Sequence, residues 1–147
     1  MLTPLDVSPY CLIQEELRGN PWRLLVACMM LNQTSIKQVR PIIWDFFVRW
    51  PTASAAASAD VDEMADFIRT LGLQNRRAAL IVKMSAALCS WDGSGDVRSL
   101  PGVGRYASDS YRMFVSGDLV EDVADKELRR YVEWATDGRV RFDKEEV

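Results

Sequence analysis

Leu100-Pro101-Gly102-Val103-Gly104-Arg105-Tyr106, with Asp125 nineteen residues further on, is the stretch that decides how this chain reads. Two glycines flanking one apolar residue make a tight turn whose backbone N–H groups can face outward without side-chain obstruction. A leucine before the turn and a helix-forming segment after it define a helix–hairpin–helix, a shape suited to gripping a DNA phosphate through main-chain donors. Taken alone, a glycine pair also serves as a plain connection between helices. The rest of the chain must decide between the two.

A length of 147 residues, 48% of them hydrophobic, suits one folded domain over 1–147 and excludes disorder. No apolar run approaches the ~20 residues of a membrane span, so no membrane partner is expected. The first residues lack both a basic region and an apolar core, which argues against a secretory signal and for an intracellular location. Cys11, Cys28 and Cys89 are scattered through helix-like segments, the pattern of buried free thiols, with neither a disulfide framework nor metal spacing. Histidine is absent. That excludes histidine triads, histidine–metal centres and imidazole acid/base catalysis, and leaves carboxylates, tyrosine, lysine or main-chain groups to do any chemistry.

The formal charge of −3 counts against nucleic-acid binding. Its distribution counts the other way. Arg69, Arg76, Arg77, Lys83, Arg98 and Arg105 occupy a stretch whose only acids are Asp92 and Asp96, whereas Asp60, Asp62, Glu63, Asp66, Asp143, Glu145 and Glu146 gather elsewhere. A local basic face on an acidic protein can hold phosphate, with steep salt dependence.

Helical periodicity runs throughout, and no period-two alternation is long enough for a sheet. Asn20-Pro21 reads as an N-cap and first-turn proline, followed by the apolar stripe Trp22, Leu25, Val26 and Met29. Ser35 caps a second helix that carries Val39, Ile42, Ile43, Phe46 and Phe47 past Pro41 and stops at Pro51. Asp60 with Glu63 resembles a capping box, opening a helix that continues through Leu71 to Gly72. Further helices are expected from about Asn75 to Leu88, from Arg105 to about Val115, and from near Ala124. The charged last ten residues are expected to fray.

Several further stretches occur in a telling order: Leu12-Ile13-Gln14-Glu15-Glu16-Leu17, Asn20-Pro21-Trp22-Arg23-Leu24-Leu25, Leu31-Asn32-Gln33-Thr34-Ser35, Leu71-Gly72-Leu73 with Arg77-Ala78, and Gly104-Arg105-Tyr106 with Asp109-Ser110-Tyr111-Arg112. With the hairpin and Asp125, they make the chain resemble the helix–hairpin–helix DNA glycosylase superfamily, the endonuclease III group, over roughly residues 8–136. The likeness is strongest to the methyl-CpG-binding-domain branch, which removes thymine or uracil mispaired with guanine. It implies an all-α, two-lobed fold without an iron–sulfur cluster, since no cysteine lies beyond Cys89. One lobe would span about 21–106, the other about 1–20 with 107–147. No cofactor or metal-ligand cluster is expected, a cation on the hairpin carbonyls is left open by the sequence, and no methyl-CpG reader is expected within these residues. The partner would be double-stranded DNA, bound by a monomer.

The resemblance also assigns roles. Asp125 matches the catalytic aspartate, and as a helix N-cap it would be well oriented; Asp122 is its nearest competitor. Breaking an N-glycosidic bond leaves positive charge on the sugar, which a carboxylate stabilises while it orients or deprotonates water. Tyr106 stands where strand-cutting members carry a Schiff-base lysine, which implies a monofunctional enzyme; Lys126 is not at that position. Gln14, with Leu12, Ile13 and Tyr106, would form the pocket for a flipped pyrimidine, an amide being able to donate and accept at once. The residues alone make Gln14 an exposed helix position. Gln33 and Leu73 match the side chains inserted into the duplex, and Gly102, Val103, Gly104 and Arg105 the hairpin grip. For Leu73, packing at a helix end is an equal alternative. Gln33 replaces the arginine of the branch the chain most resembles, which leaves the opposite-base preference open. Two other functions fit the same features: a DNA-binding scaffold without catalysis, and an offshoot acting on free nucleotides or modified bases.

Overall fold

Pro21 starts the helix around which the others assemble. Asn20 caps it, its side-chain oxygen accepting the Arg23 N–H at 3.1 Å, and the proline occupies the first turn, where no N–H is needed. In this helix, α2 (Pro21–Leu31), eight of eleven residues are buried, so it is the centre of the core and not a surface element. The computed structural model describes residues 7–120 and 122–146. Residues 1–6, whose composition argues against a secretory signal, lie outside the described residues, as do the acidic side chains of the tail.

Around α2 pack α1 (Ile13–Leu17), α3 (Ile36–Arg49), α6 (Gln74–Ser90) and α7 (Arg105–Phe114). The short helices α4 (Ala53–Ala57) and α5 (Val61–Phe67) lie on α6. A final helix, α8 (Lys126–Glu146), joins α7 through the ring contacts of Phe114, Tyr131 and Trp134. Trp22, Phe46, Phe47, Trp50 and Phe67 form a second, largely edge-to-face cluster between α2, α3 and α5. Such contacts add ~0.5–1.5 kcal/mol each beyond the area they bury. No strand occurs among the described residues, as the periodicity predicts, and no helix there is long and apolar enough to cross a membrane.

Several local expectations change. Asp60 accepts the N–H groups of Asp62 and Glu63, but Glu63 pairs with Arg49 on α3 and does not return to Asp60, so only half of a capping box forms. The helix it opens ends at Phe67. A 3₁₀ turn over Arg69–Leu71 follows, and Gly72 reverses the chain at φ 76°. Helix α4 lacks an apolar stripe in the sequence and is set by Thr52, whose hydroxyl accepts the Ala55 N–H. The charged tail is helical as far as Glu146, in keeping with its content of straight-chain helix formers. Of the three free cysteines only Cys28 is buried. Cys11 falls on a turn with φ 53° and Cys89 on the solvent side of α6, so the expectation of three buried thiols fails for two.

The hairpin itself forms between α6 and α7, after a 3₁₀ turn at Val97–Ser99. Pro101 and Gly102 are the central residues of a β-turn closed by the Val103 N–H on the Leu100 carbonyl at 3.2 Å. Gly102 has φ 75°, the value a type II turn requires at that place. A Cβ there would stand 2.7 Å from the Met29 methyl on α2 and 3.3 Å from the Leu80 Cβ on α6, so a side chain would have to push the methionine aside. The turn is therefore seated directly on the central helix.

Candidate active site

Two adjoining clefts contain most of the residues singled out above. The first, about 770 Å³, is lined by Leu12, Ile13 and Gln14 from the start of α1, Gln33 from the α2–α3 turn, Tyr106 from α7, and Asp125 with Lys126 at the start of α8. Sequence positions more than a hundred residues apart thus meet in one concavity.

Gln14 is not exposed. It is 3% accessible, because α1 lies against α7, and its Nε2 donates to the Tyr106 hydroxyl at 2.6 Å and to the Ser110 hydroxyl at 3.3 Å. Ser110 is the residue the sequence reading missed. It follows Tyr106 by four positions on a helix, so the two share a face, and that spacing was a usable signal. Burial pushes the Tyr106 phenol far above its ordinary range, with the nearby Cys28 and Asp125 adding to the effect, so the ring keeps its proton. Cys28 lies beneath, wholly buried on α2, and burial pushes its thiol up to about 12.

Asp125 is the N-cap of α8: its Oδ2 accepts the Leu128 N–H at 2.9 Å. The other oxygen has no hydrogen-bond partner among the described residues, and the residue lines the cleft. Its competitor Asp122 is elsewhere, a fully exposed side chain paired with Arg105 at 3.5 Å. Burying one carboxylate oxygen in a cap while leaving the other in a cleft places an acceptor there without a loss of helix stability.

Glu15 anchors the turn that forms the cleft's rim from behind. Buried on α1, it accepts the Ser8 N–H at 2.6 Å, the Ser8 hydroxyl at 2.8 Å and the Leu12 N–H at 2.8 Å. Arg40 of α3 donates to the Cys11 carbonyl at 3.2 Å. Together they fix the turn that carries Tyr10, Cys11 and Leu12 along the rim.

The second cleft, about 500 Å³, is lined by Gln33 again, with Leu73, Arg76, Arg98 and the hairpin residues Gly102, Val103 and Gly104. Asn32 and Gln33 therefore form the shared wall. Leu73 is 61% exposed, which rules out its packing alternative. Gln33 and Leu73 both have left-handed backbones, φ 63° and 48°, a conformation that costs a non-glycine residue about 1–2 kcal/mol. Gly104 is exposed, with nothing within 4 Å of where a Cβ would sit. The basic face is narrower than the sequence suggests. Arg77 is buried, Arg69 pairs with Asp66, and Arg105 turns away toward Asp109 and Asp122. Arg76 and Arg98, on the hairpin side, have no ion-pair partner among the described residues.

A glycine hairpin seated on the central helix of an all-helical chain, beside a cleft that ends at a capping aspartate, defines a helix–hairpin–helix protein of the base-excision type. More closely, residues 26–143 match the family described as HhH-GPD superfamily base excision DNA repair protein, and the chain belongs to that family. It is 40% identical over 113 residues to the methyl-CpG-binding domain protein 4-like protein of Arabidopsis thaliana, covering 76% of this chain and 25% of that one. It is 35% identical over 124 residues to the thymine/uracil-DNA glycosylase of Pyrobaculum aerophilum, covering 78% of this chain and 52% of that one. The chain thus spans a quarter to a half of the length of these relatives. Its fold matches that of a thermostable thymine-DNA glycosylase at a TM-score of 0.64 and 23% identity, over 71% of this chain and 52% of that one.

Proposed function

We propose that this chain is a monofunctional DNA glycosylase that hydrolyses the N-glycosidic bond of a mispaired or damaged pyrimidine, thymine or uracil opposite guanine, in base excision repair. The observation that carries the reading is the convergence of Gln14, Tyr106 and Asp125 on one cleft whose wall, Gln33, also faces the hairpin. Relatives that share 76–78% of the chain in alignment bear glycosylase or methyl-CpG-binding names, which supports the same class.

On this reading the hairpin holds the backbone of duplex DNA with Gly104 and the N–H groups beyond it, while Arg76 and Arg98 supply charge. Leu73 and Gln33 enter the stack and fill the space left by the extruded nucleotide. The base enters the first cleft, where the Gln14 amide and the neutral Tyr106 hydroxyl meet its polar edge. The C1′–N bond breaks with its electrons on the base, and the free oxygen of Asp125 faces the positive charge left on the sugar. Water then attacks C1′, its proton passes to that carboxylate and from there through solvent to the departed base anion, leaving the neutral free base, an abasic site and the carboxylate restored. Tyr106 has no amine with which to form a Schiff base. The two-lobed division, with duplex DNA across the clefts and a single copy of the chain bound, belongs to the same proposal, as does a DNA-associated location.

The test is base release from duplexes with one G·T or G·U pair, read as strand scission after alkaline heating. Scission above an Asp125→Ala control is the expected result, and none above it refutes the activity. Lys126 also lines the cleft. Treatment of the reaction with borohydride therefore checks the monofunctional assignment: no covalent protein–DNA adduct is expected, and an adduct overturns it.

A further inference from the structure

Arg77 is the one buried cation in the chain's described residues that the mechanism above does not use. It lies on α6, 8% exposed, and burial lowers its pKa below the ordinary guanidinium value. No carboxylate pairs with it among the described residues. Its Nη1 donates to the Met30 carbonyl at 2.8 Å and its Nη2 to the Asn32 carbonyl at 2.6 Å.

Those two acceptors bracket the end of α2, where carbonyls have no partner within the helix and the negative end of the dipole faces a cation favourably. Gln33 is the next residue. On its far side Thr34 is held as well, its N–H on the Leu31 carbonyl at 3.1 Å and its hydroxyl on the Met30 carbonyl. The other end of Arg77 reaches Leu73. The Arg77 backbone N–H donates to the Leu73 carbonyl at 2.9 Å and closes the first turn of α6. One residue thus touches the backbone beside both left-handed, exposed side chains of the second cleft. Strained conformations of this kind persist only where the surroundings over-determine them. A planar fork that bonds two carbonyls at once provides that restraint, and a lysine, a point donor on a flexible stem, does not.

We infer that Arg77 is a positioning residue that clamps the Gln33 turn to the start of α6, setting the separation at which Gln33 and Leu73 enter a duplex together. The inference rests on the DNA reading for its consequence but not for its geometry. A strut that serves insertion matters when stacked bases must be parted and is idle when the base is already unstacked.

The experiment compares wild type, Arg77→Lys and Arg77→Met. Single-turnover base release is measured from a G·U duplex and from single-stranded DNA containing uracil, with thermal unfolding as a check of the folded fraction. Arg77→Lys is expected to slow duplex release by about a hundredfold and to leave single-strand release within about twofold of wild type. An equal fall on both substrates, or none on either, overturns the proposal. Hydrogen exchange reads the clamp without DNA. The Thr34 amide is expected to exchange about tenfold faster in Arg77→Met while amides in the middle of α2 keep their protection. Unchanged exchange at Thr34 sinks the clamp whatever the activity, whereas faster exchange with no base release from wild type sinks only the glycosylase reading.

Discussion

Gln14 and Tyr106, ninety-two positions apart, are joined by a 2.6 Å hydrogen bond from the amide to the phenol oxygen. Gln14 is buried and Tyr106 half-buried, and the phenol retains its proton, so the pair is neutral and held in place. Removing the hydroxyl in Tyr106→Phe leaves the amide with only Ser110, at 3.3 Å. The expected cost is about 1 kcal/mol of stability, read by thermal denaturation, and about a tenfold loss in kcat/KM on a G·U duplex. A variant as stable and as active as wild type would show that the bond neither holds α1 nor reads the base.

Under the proposed mechanism Asp125 has two separable tasks, capping and chemistry. Asparagine is as good a helix cap, so Asp125→Asn is expected to keep the melting temperature while base release falls by about 10²–10⁴. Asp125→Ala is expected to lose a further ~1 kcal/mol of stability through the missing cap on the Leu128 N–H. Full activity in the asparagine variant would remove the carboxylate from the chemistry.

Alkaline stability follows from Cys28. Its thiol titrates from 9.0 when unperturbed to about 12 in the fold. A pKa raised in the folded state gives stability that is whole below the unfolded value and is lost as pH rises through the folded one. Between about pH 9 and 12 the unfolded chain releases this proton first, which costs up to about 4 kcal/mol over that window. Urea titrations at intervals of pH should show a steeper fall for wild type than for Cys28→Ala. Parallel curves would contradict the assignment.

The two hairpin glycines are expected to fail differently. Gly102→Ala places a methyl 2.7 Å from Met29 in a left-handed backbone, and should lose about 1–2 kcal/mol of stability. Gly104→Ala meets nothing within 4 Å and should unfold like wild type, yet bind duplex DNA more weakly because the methyl stands where a phosphate approaches. Melting curves and binding at two salt concentrations check both. Equal DNA affinity in Gly104→Ala would remove the hairpin from the grip.

Much of this arrangement was legible beforehand where the signal is local. Asn20-Pro21, the Pro101-Gly102 turn and the cap at Asp125 are written in consecutive residues, and the structure has each in place. What stayed hidden depends on partners far away in the chain. Gln14 reads as a solvent position because nothing near it in sequence announces α7. Glu63 reads as half of a capping box because Arg49, its actual partner, lies fourteen residues back. Arg77 looks like part of a basic face, and only the carbonyls of Met30 and Asn32 reveal it as an internal strut. The exposure of Leu73 follows from Gly72, whose reversal throws the next side chain outward.

Asp125 reaches the cleft with one oxygen already tied to the first turn of α8, so the heading of its carboxylate is set by that turn. Any substitution that tilts the opening of α8 then swings the untied oxygen, even when it lies on a side of the helix remote from the cleft.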